Sequence, residues 1–225
     1  MKLSERFYIG RIANEIAMPF IVKYHYLHRI PPCSFAFALY DRTQKTILGA
    51  SKIVGIITYG TPCSAPLRKG ICGIDQAENV IELNRLWIAD NIPKNAESYL
   101  IMHTARLVDK EIIISYADSA QQHLGIIYQA CSWLFTGTSR EDFDLTVEGL
   151  DIHGHTLYDK YTGTEIIAKF GDKVHKVKRS LKYRYIYFNC GKFRRKILLK
   201  QLKYPILSYP KSLPSTELKT ECATK

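Results

Sequence analysis

Between Ile81 and Gly137 apolar runs alternate with polar junctions in the order strand, loop, helix, strand, helix, and no other feature restricts the fold as much. The run Ile81-Glu82-Leu83-Asn84-Arg85-Leu86-Trp87-Ile88 reads as a strand and ends in the loop Asp90-Asn91-Ile92-Pro93-Lys94. A helix follows Asn95, a good N-cap, with Glu97 in its first turn and Leu100, His103 and Leu107 at helical spacing. Glu111 to Tyr116 is a short apolar run bounded by Asp118-Ser119, the pattern of a buried strand. The stretch from Tyr116 to Ala130 then leads into a second helix, expected to stop at Thr136-Gly137. Two such strands would carry Arg85, Asp118 and a helix N-terminus at neighbouring ends, a cleft able to hold an anion.

The flanks extend this block. Asn14 to Tyr26 reads as a helix, with Pro19 blurring its bounds. Phe35–Tyr40 and Ile47–Thr58 read as a hairpin joined by Asp41-Arg42-Thr43-Gln44-Lys45. Residues 60–79, rich in Gly, Pro and Cys, are expected to form a long excursion at the substrate edge. Val147–Thr164 and Val174–Phe188 are expected to add strands, with Gly163 and Gly171 as breakers. The expected fold class is α+β, a mixed central sheet flanked by helices with a basic C-terminal strand and helix. At 225 residues and 46% hydrophobic content the chain can bury one core, so residues 1–211 read as a single domain and 212–225 as a disordered tail. No apolar run approaches the roughly 20 residues of a membrane span. The start lacks a secretory apolar region, so a cytoplasmic location is expected. The six cysteines form no Cys-x-x-Cys pair and read as free thiols.

Charge is concentrated in one place. Lys173 to Lys203 holds 12 Lys or Arg and no Asp or Glu, while the remainder carries 20 basic against 21 acidic residues, so this window accounts for the whole net charge of +11. Such a field attracts phosphates and points to a nucleic acid as partner. The window reads as a folded strand and helix rather than as the alternative, a solvated tail, because charge alternates with aromatic and apolar residues. Tyr183, Tyr185 and Tyr187 fall on one side of a strand, and Lys182, Arg184, Ile186 and Phe188 on the other. Lys182, Arg184, Lys192, Arg194, Arg195 and Lys196 are the candidate DNA contacts.

Asn84 and Arg85 lie mid-strand, where a charge is costly unless paired or functional, and a guanidinium fork suits phosphate or carboxylate. Ser98 sits among the free amides of the helix after Asn95, as a ligand contact or a capping residue. Asp118 is open to three readings: base, metal ligand or helix cap. His25, Tyr26 and His28 cluster before the hairpin, and with Asp118 across the cleft His25 and Tyr26 would complete a mononuclear iron(II) site. Tyr24, Tyr26 and Trp87 are candidate stacking residues, Trp87 by default being core. His153 and His155 flank a glycine and receive no role.

In outline the central block resembles the GCN5-related N-acetyltransferase (GNAT) superfamily, and in detail the phage-encoded Mom family of DNA adenine modification proteins. The resemblance runs through His25-Tyr26, Leu83-Asn84-Arg85-Leu86, Asn95-Ala96-Glu97-Ser98, Tyr116-Ala117-Asp118 and His123-Leu124-Gly125-Ile126-Ile127-Tyr128-Gln129-Ala130. It continues in Trp133-Leu134-Phe135-Thr136-Gly137, Lys182-Tyr183-Arg184-Tyr185-Ile186-Tyr187-Phe188 and Tyr209-Pro210-Lys211. It implies a GNAT-like sheet, a ligand-facing Arg85, catalytic Asp118 and Ser98, and Tyr128 where many acetyltransferases place an acid near the thiol leaving group. It also implies acetyl-CoA or a related acyl donor held by Asn95, Ala96 and Ser98. One departure counts against conventional acetyl-CoA binding: the loop Asp90–Asn95 has no glycine.

The implied reaction puts a carbamoylmethyl group on the exocyclic amine of adenine, protecting phage or prophage DNA from restriction in a bacterial host cell. The new bond goes to a methylene carbon, so acyl transfer alone cannot make the product. The amine is also hidden in the duplex stack, so the base must be extruded at a cost of a few kcal/mol, offset by stacking of roughly 1–3 kcal/mol per base. Two other readings remain at this point: an N-acetyltransferase acting on a protein or small amine, and a catalytically silent nucleic-acid-binding protein. Oligomeric state is not legible, and a homodimer is compatible with the sequence.

Overall fold

The computed structural model describes residues 2–150, 157–158 and 160–213. Its frame is a seven-stranded sheet in the order β1-β2-β3-β4-β5-β9-β6, made of Phe7–Ile12, Phe35–Lys45, Ser51–Gly60, Val80–Ile88, Ile112–Asp118, Lys182–Phe188 and Leu134–Thr138 respectively. Every pairing is antiparallel except β4 with β5. The fold is therefore α+β with a mixed central sheet, as expected. A separate ribbon, β7 (Phe143–Val147) with β8 (Val174–Lys178), is inserted between β6 and β9.

Helices cover both faces. α2 (Asn14–Tyr24) sets Ala17, Met18 and Ile21 against Ala36, Ala38 and Ile56. On the same side α3 (Ala65–Cys72) and α7 (Lys192–Gln201) bury Ile71, Cys72 and Leu198 against Val80, Ile112, Ile114, Ile186 and Phe188. α4 (Ala96–Ala105) and α5 (Ile126–Ala130) cover the opposite face, where Leu100, Ile101 and Tyr128 pack with Leu83, Ile113, Tyr183 and Tyr185. Side chains on a strand alternate between faces. Because both faces of β5 are covered, its sequence is a nearly unbroken apolar run rather than an alternating one. The short α1 (Leu3–Arg6) places Arg6 against buried Asp41.

Several sequence expectations are corrected. The excursion at residues 60–79 is largely helical: Ser64 accepts the Leu67 amide at the start of α3, and a 3-10 turn spans Ile74–Asn79. β7 ends at Val147, and Thr162 with Glu165 forms a capping box that opens α6 (Gly163–Phe170), so no strand follows β7 among the described residues up to Thr164. The second helix of the central block stops at Ala130 rather than at Thr136-Gly137. Ser132 takes a left-handed conformation (φ 57°), and Leu134–Thr138 leaves as a strand that pairs with β9. α4 begins after Asn95 as expected, but Asn95 is left-handed (φ 71°) and its side chain caps nothing. The β2–β3 turn lies at Thr46–Ala50 rather than at Asp41–Lys45. His153, His155 and the tail beyond Leu213 lie outside the described residues, while Leu213 itself packs on the main core. The described cysteines 33, 63, 72, 131 and 190 are free thiols.

Candidate active site at the split between two parallel strands

β4 and β5 pair only over Val80–Glu82 and Ile112–Ile114, then diverge. The cause is local. A bulge in the β3–β4 ladder sets Thr58 opposite Arg85 and Tyr59 opposite Leu83, leaving Asn84 as the extra residue. Asn84 is tied down rather than ligand-facing: it accepts from the Thr58 hydroxyl (2.7 Å) and donates to the Pro32 carbonyl (2.7 Å). Where the strands diverge, Ser115 Oγ lies 2.7 Å from the Leu83 carbonyl and 2.7 Å from the Tyr128 hydroxyl. Ser115 has one proton, so when the Leu83 carbonyl takes it, Tyr128 donates to Ser115.

The split opens into a cavity of about 360 Å³, within the range of small-ligand pockets. His25, Tyr26, Glu82, Arg85, Asp118, His123, Tyr128 and Lys182 are among its walls. α5 comes this close to β9 because residue 125 is glycine, left-handed at φ 76°, where a Cβ would sit 2.3 Å from the Tyr185 ring.

The charges here are poorly compensated. Arg85 donates Nη1–H to the Asn84 carbonyl (2.7 Å), but its Nε is buried without a partner, and burial lowers the guanidinium pKa. Burial raises the Glu82 carboxyl to about 7, against the opposing pull of Arg85 and Lys182. His25 is lowered to about 4, first by burial and then by Arg85, so its imidazole is neutral at pH 7. Tyr26 is raised by burial and by Asp118. Tyr128 is pushed well above the phenol range by burial.

Of the residues singled out in the sequence, Arg85, Asp118 and Tyr128 meet at this cavity with His25 and Tyr26. Ser98 does not: its hydroxyl donates back to the Asn95 carbonyl (3.0 Å), a bond within the first turn that leaves the free amides uncapped. Ala96 is fully buried. The first-turn amides of α4 remain available in principle, but Glu97 sets a carboxylate beside them and no glycine opens the loop, so Asn95, Ala96 and Ser98 do not fit a pyrophosphate. Trp87 and Tyr24 do not line the cavity; they stack on each other at 4.6 Å, leaving Tyr26 as the nominated aromatic inside it.

Among the described residues, no three His, Cys, Asp or Glu side chains are grouped to hold a metal ion. The expected iron set survives in donor chemistry alone. His25 Nδ1 accepts from the Leu27 amide (3.2 Å), leaving Nε2 open. Asp118 Oδ1 accepts from the Ala120 amide (3.0 Å), and the Tyr26 ring stacks on His25 at 4.4 Å. The imidazole and the carboxylate are donors that iron(II) accepts, while burial keeps the Tyr26 phenol protonated and makes it the weak member of the set.

Sequence reading missed Glu82 and Ser115. The signal was present: a carboxylate in Val80-Ile81-Glu82-Leu83 and a hydroxyl within residues 112–116, each interrupting an apolar strand.

The basic window is split. Lys182 lines the cavity. Arg184 is internal, donating to Thr136 Oγ1 (2.9 Å) and its carbonyl (2.7 Å) beneath the Tyr204 ring. In and beside β8, Lys178 and Arg179 are paired with Glu141, Asp142 and Asp144. Arg194 is held by Glu111 and Gln76. Lys192, Arg195 and Lys196 are exposed on α7. That helix begins beside the N-terminal end of β5, six residues or roughly 20 Å from Asp118 at strand spacing.

A model of the Mom protein family matches residues 6–211. The chain belongs to the Mom protein family. It is 24% identical over 172 residues to the methylcarbamoylase Mom of Escherichia phage Mu, covering 73% of this chain and 70% of that one. As a Mom family member it also aligns with solved acetyltransferases. Arabidopsis thaliana NAA60 in complex with acetyl-CoA is 10% identical at a TM-score of 0.49, covering 82% of this chain and 99% of that one. The spermidine/spermine N-acetyltransferase SpeG of Vibrio cholerae is 10% identical at 0.46, covering 86% and 99%. No described helix is long and apolar enough to cross a membrane.

Proposed function

We propose that this protein is a transferase that converts adenine in double-stranded DNA to its N6-carbamoylmethyl form. Membership of the Mom family over residues 6–211, with a methylcarbamoylase relative in phage Mu, carries the reading. The cavity supports it by bringing undercompensated charges to one place, where a preorganised site acts most strongly.

The adenine, extruded from the duplex, enters at the mouth lined by Tyr26, His123 and Lys182. Tyr26 offers a ring for stacking, and Arg85 directs its unpaired Nε at an anionic group of the donor. Bond formation joins N6 to the donor's methylene carbon as the leaving group departs with its electron pair. The N6 proton passes to a carboxylate, Glu82 or Asp118, and Tyr128 holds the hydrogen-bond chain through Ser115. Iron(II) held by His25, Tyr26 and Asp118 would supply a Lewis acid at the mouth. The work is done in the cytoplasm of a bacterial host, where such modification shields phage or prophage DNA from restriction.

Mass spectrometry of nucleosides from plasmid DNA, after expression in a bacterial host, tests this. Deoxyadenosine carrying the added carbamoylmethyl mass is the expected result. Unmodified DNA together with an acetylated protein or amine would replace this reading with that of an N-acetyltransferase.

A further inference from the structure

The β2–β3 turn carries the two most exposed large aliphatic side chains described: Ile47 at 105% and Leu48 at 94% relative exposure. They are not on a floppy loop. The Gly49 amide donates to the Thr46 carbonyl (2.9 Å), the Thr46 amide to the Ala50 carbonyl (2.8 Å), and the Ala50 amide to Thr46 Oγ1 (3.2 Å). Gly49, at φ 78°, supplies the left-handed residue that closes such a turn. Ile47 and Leu48 thus occupy the two central turn positions, where polar residues or glycine are usual.

Their surroundings are cationic. Arg42, Lys45 and Lys52 flank the tip, and Asp41, the single acidic residue in this hairpin, is buried against Arg6. Position matters as much. Gly55 pairs with Ile88 near the end of β4, so Ser51 and the turn lie at least four residues, roughly 13 Å, past that end. β4 runs parallel to β5, so this is also the end at which Asp118 and the cavity mouth sit. The cavity lies between β4 and β5, and the hairpin is one to two strands away, roughly 5–10 Å sideways.

We propose that the Ile47-Leu48 tip is a wedge that enters duplex DNA beside the target adenine, with Arg42, Lys45 and Lys52 on the flanking phosphates. This rests on the DNA-modification reading and adds the device that reading lacks. Aliphatic residues inserted at a base step unstack it, and cations beside them hold the backbone. Charge complementarity favours a polyanion over an apolar patch on a second copy of the chain.

The test replaces both residues, Ile47→Ser with Leu48→Ser, a change that leaves the buried core untouched. Fluorescence is followed on a duplex carrying 2-aminopurine in place of adenines, and on the same duplex with a mismatch opposite the probe. The parent protein should raise the fluorescence of the paired duplex and the variant should not, while both act alike on the mismatched one. Plasmid modification by the variant should fall roughly tenfold, equivalent to ~1.4 kcal/mol of lost extrusion energy. Equal plasmid modification by parent and variant overturns the wedge and leaves the DNA-modification reading intact. No modification by the parent overturns that reading itself. A parent dimer that becomes a monomer on substitution assigns the tip to self-association, and loss of binding to anionic vesicles assigns it to a lipid surface; either result overturns the wedge.

Discussion

The two ends of β5 treat charge in opposite ways. At its N-terminal end Glu111 accepts from Asn79 (2.7 Å) and from Arg194 (2.8 Å), and these bonds pull its carboxyl below the usual range. At the other end, Glu82, Arg85, Asp118 and Lys182 face a cavity; the Arg85 Nε has no partner and burial holds the Glu82 carboxyl near neutrality. Satisfied charges tie α7 to the sheet, while unsatisfied ones keep binding energy for something that arrives. Perturbed, undercompensated groups in a cleft mark functional sites.

The largest effects should therefore come from the cavity end. Arg85→Ala and Asp118→Ala should each reduce DNA modification by about 100-fold or more, as loss of a group that stabilises developing charge does. The thermal midpoint should change little in Arg85→Ala, whose side chain closes no ion pair with a described residue, and fall modestly in Asp118→Ala, which loses the bond from the Ala120 amide, worth about 1 kcal/mol. A variant that still modifies plasmid DNA at the parent level would remove that residue from the site.

Tyr128→Phe comes next, with an expected loss of about 10- to 100-fold. It deletes one hydroxyl from the chain that joins Ser115 to the Leu83 carbonyl, at the point where the strands separate. Ser115→Ala leaves Tyr128 without that partner, and an equal loss in both variants would mean that the pair acts as a unit. Full activity in Tyr128→Phe would make this tyrosine a packing residue.

Glu82 gives the comparison a pH axis. Burial raises its carboxyl to about 7, so below pH 7 it is mostly protonated and cannot accept the N6 proton. Activity should rise as pH passes through about 7, and Glu82→Gln should flatten that rise. Stability runs the other way. A carboxyl whose folded pKa lies above its unfolded one favours the folded state below the unfolded value, and that contribution fades as pH climbs through about 7. A pH–rate curve of the same shape in Glu82→Gln would assign the proton to another group.

How much of this was legible follows the same divide. Strands β4, β5 and β9 and helix α4 were readable because burial on particular faces imposes a period on the residues, as with Tyr183, Tyr185 and Tyr187 all turned to one core. Arg85, Asp118 and Tyr128 were readable as interruptions of that period or as members of a family pattern. Glu82 interrupts it equally and was passed over, since nothing local says that β4 and β5 separate immediately beyond it. That split depends on a bulge between β3 and β4, and hence on partners more than 20 positions away, Asn84 with Thr58 among them. The basic window shows the reverse failure. A run of cations without acidic neighbours looked like one surface, yet the carboxylates that neutralise Lys178, Arg179 and Arg194 come from distant segments, Glu141, Asp142, Asp144 and Glu111.

The smallest effects, and the ones that sharpen the comparison most, come from dividing that window. Arg194→Ala should cost about 1–2 kcal/mol of stability, because Glu111 keeps a partly buried charge while losing its main partner. Its effect on DNA affinity should be slight, since the guanidinium already has its acceptors. Lys192, Lys196 and Lys200 recur at a spacing of four along α7, which puts them on one exposed stripe with Phe193, itself 80% exposed. Replacing these three lysines with Ala should leave the melting midpoint within a degree or two. DNA binding should weaken a few-fold across all sequences, and the salt slope should flatten by about 0.9 for each phosphate no longer neutralised. The opposite pattern, with affinity tracking Arg194 and stability tracking the lysines, would mean that the Glu111 bond opens to release Arg194 to DNA. An unchanged salt slope in the lysine variant would remove α7 from the DNA path and leave Lys182 and the β2–β3 hairpin as the cations that meet it.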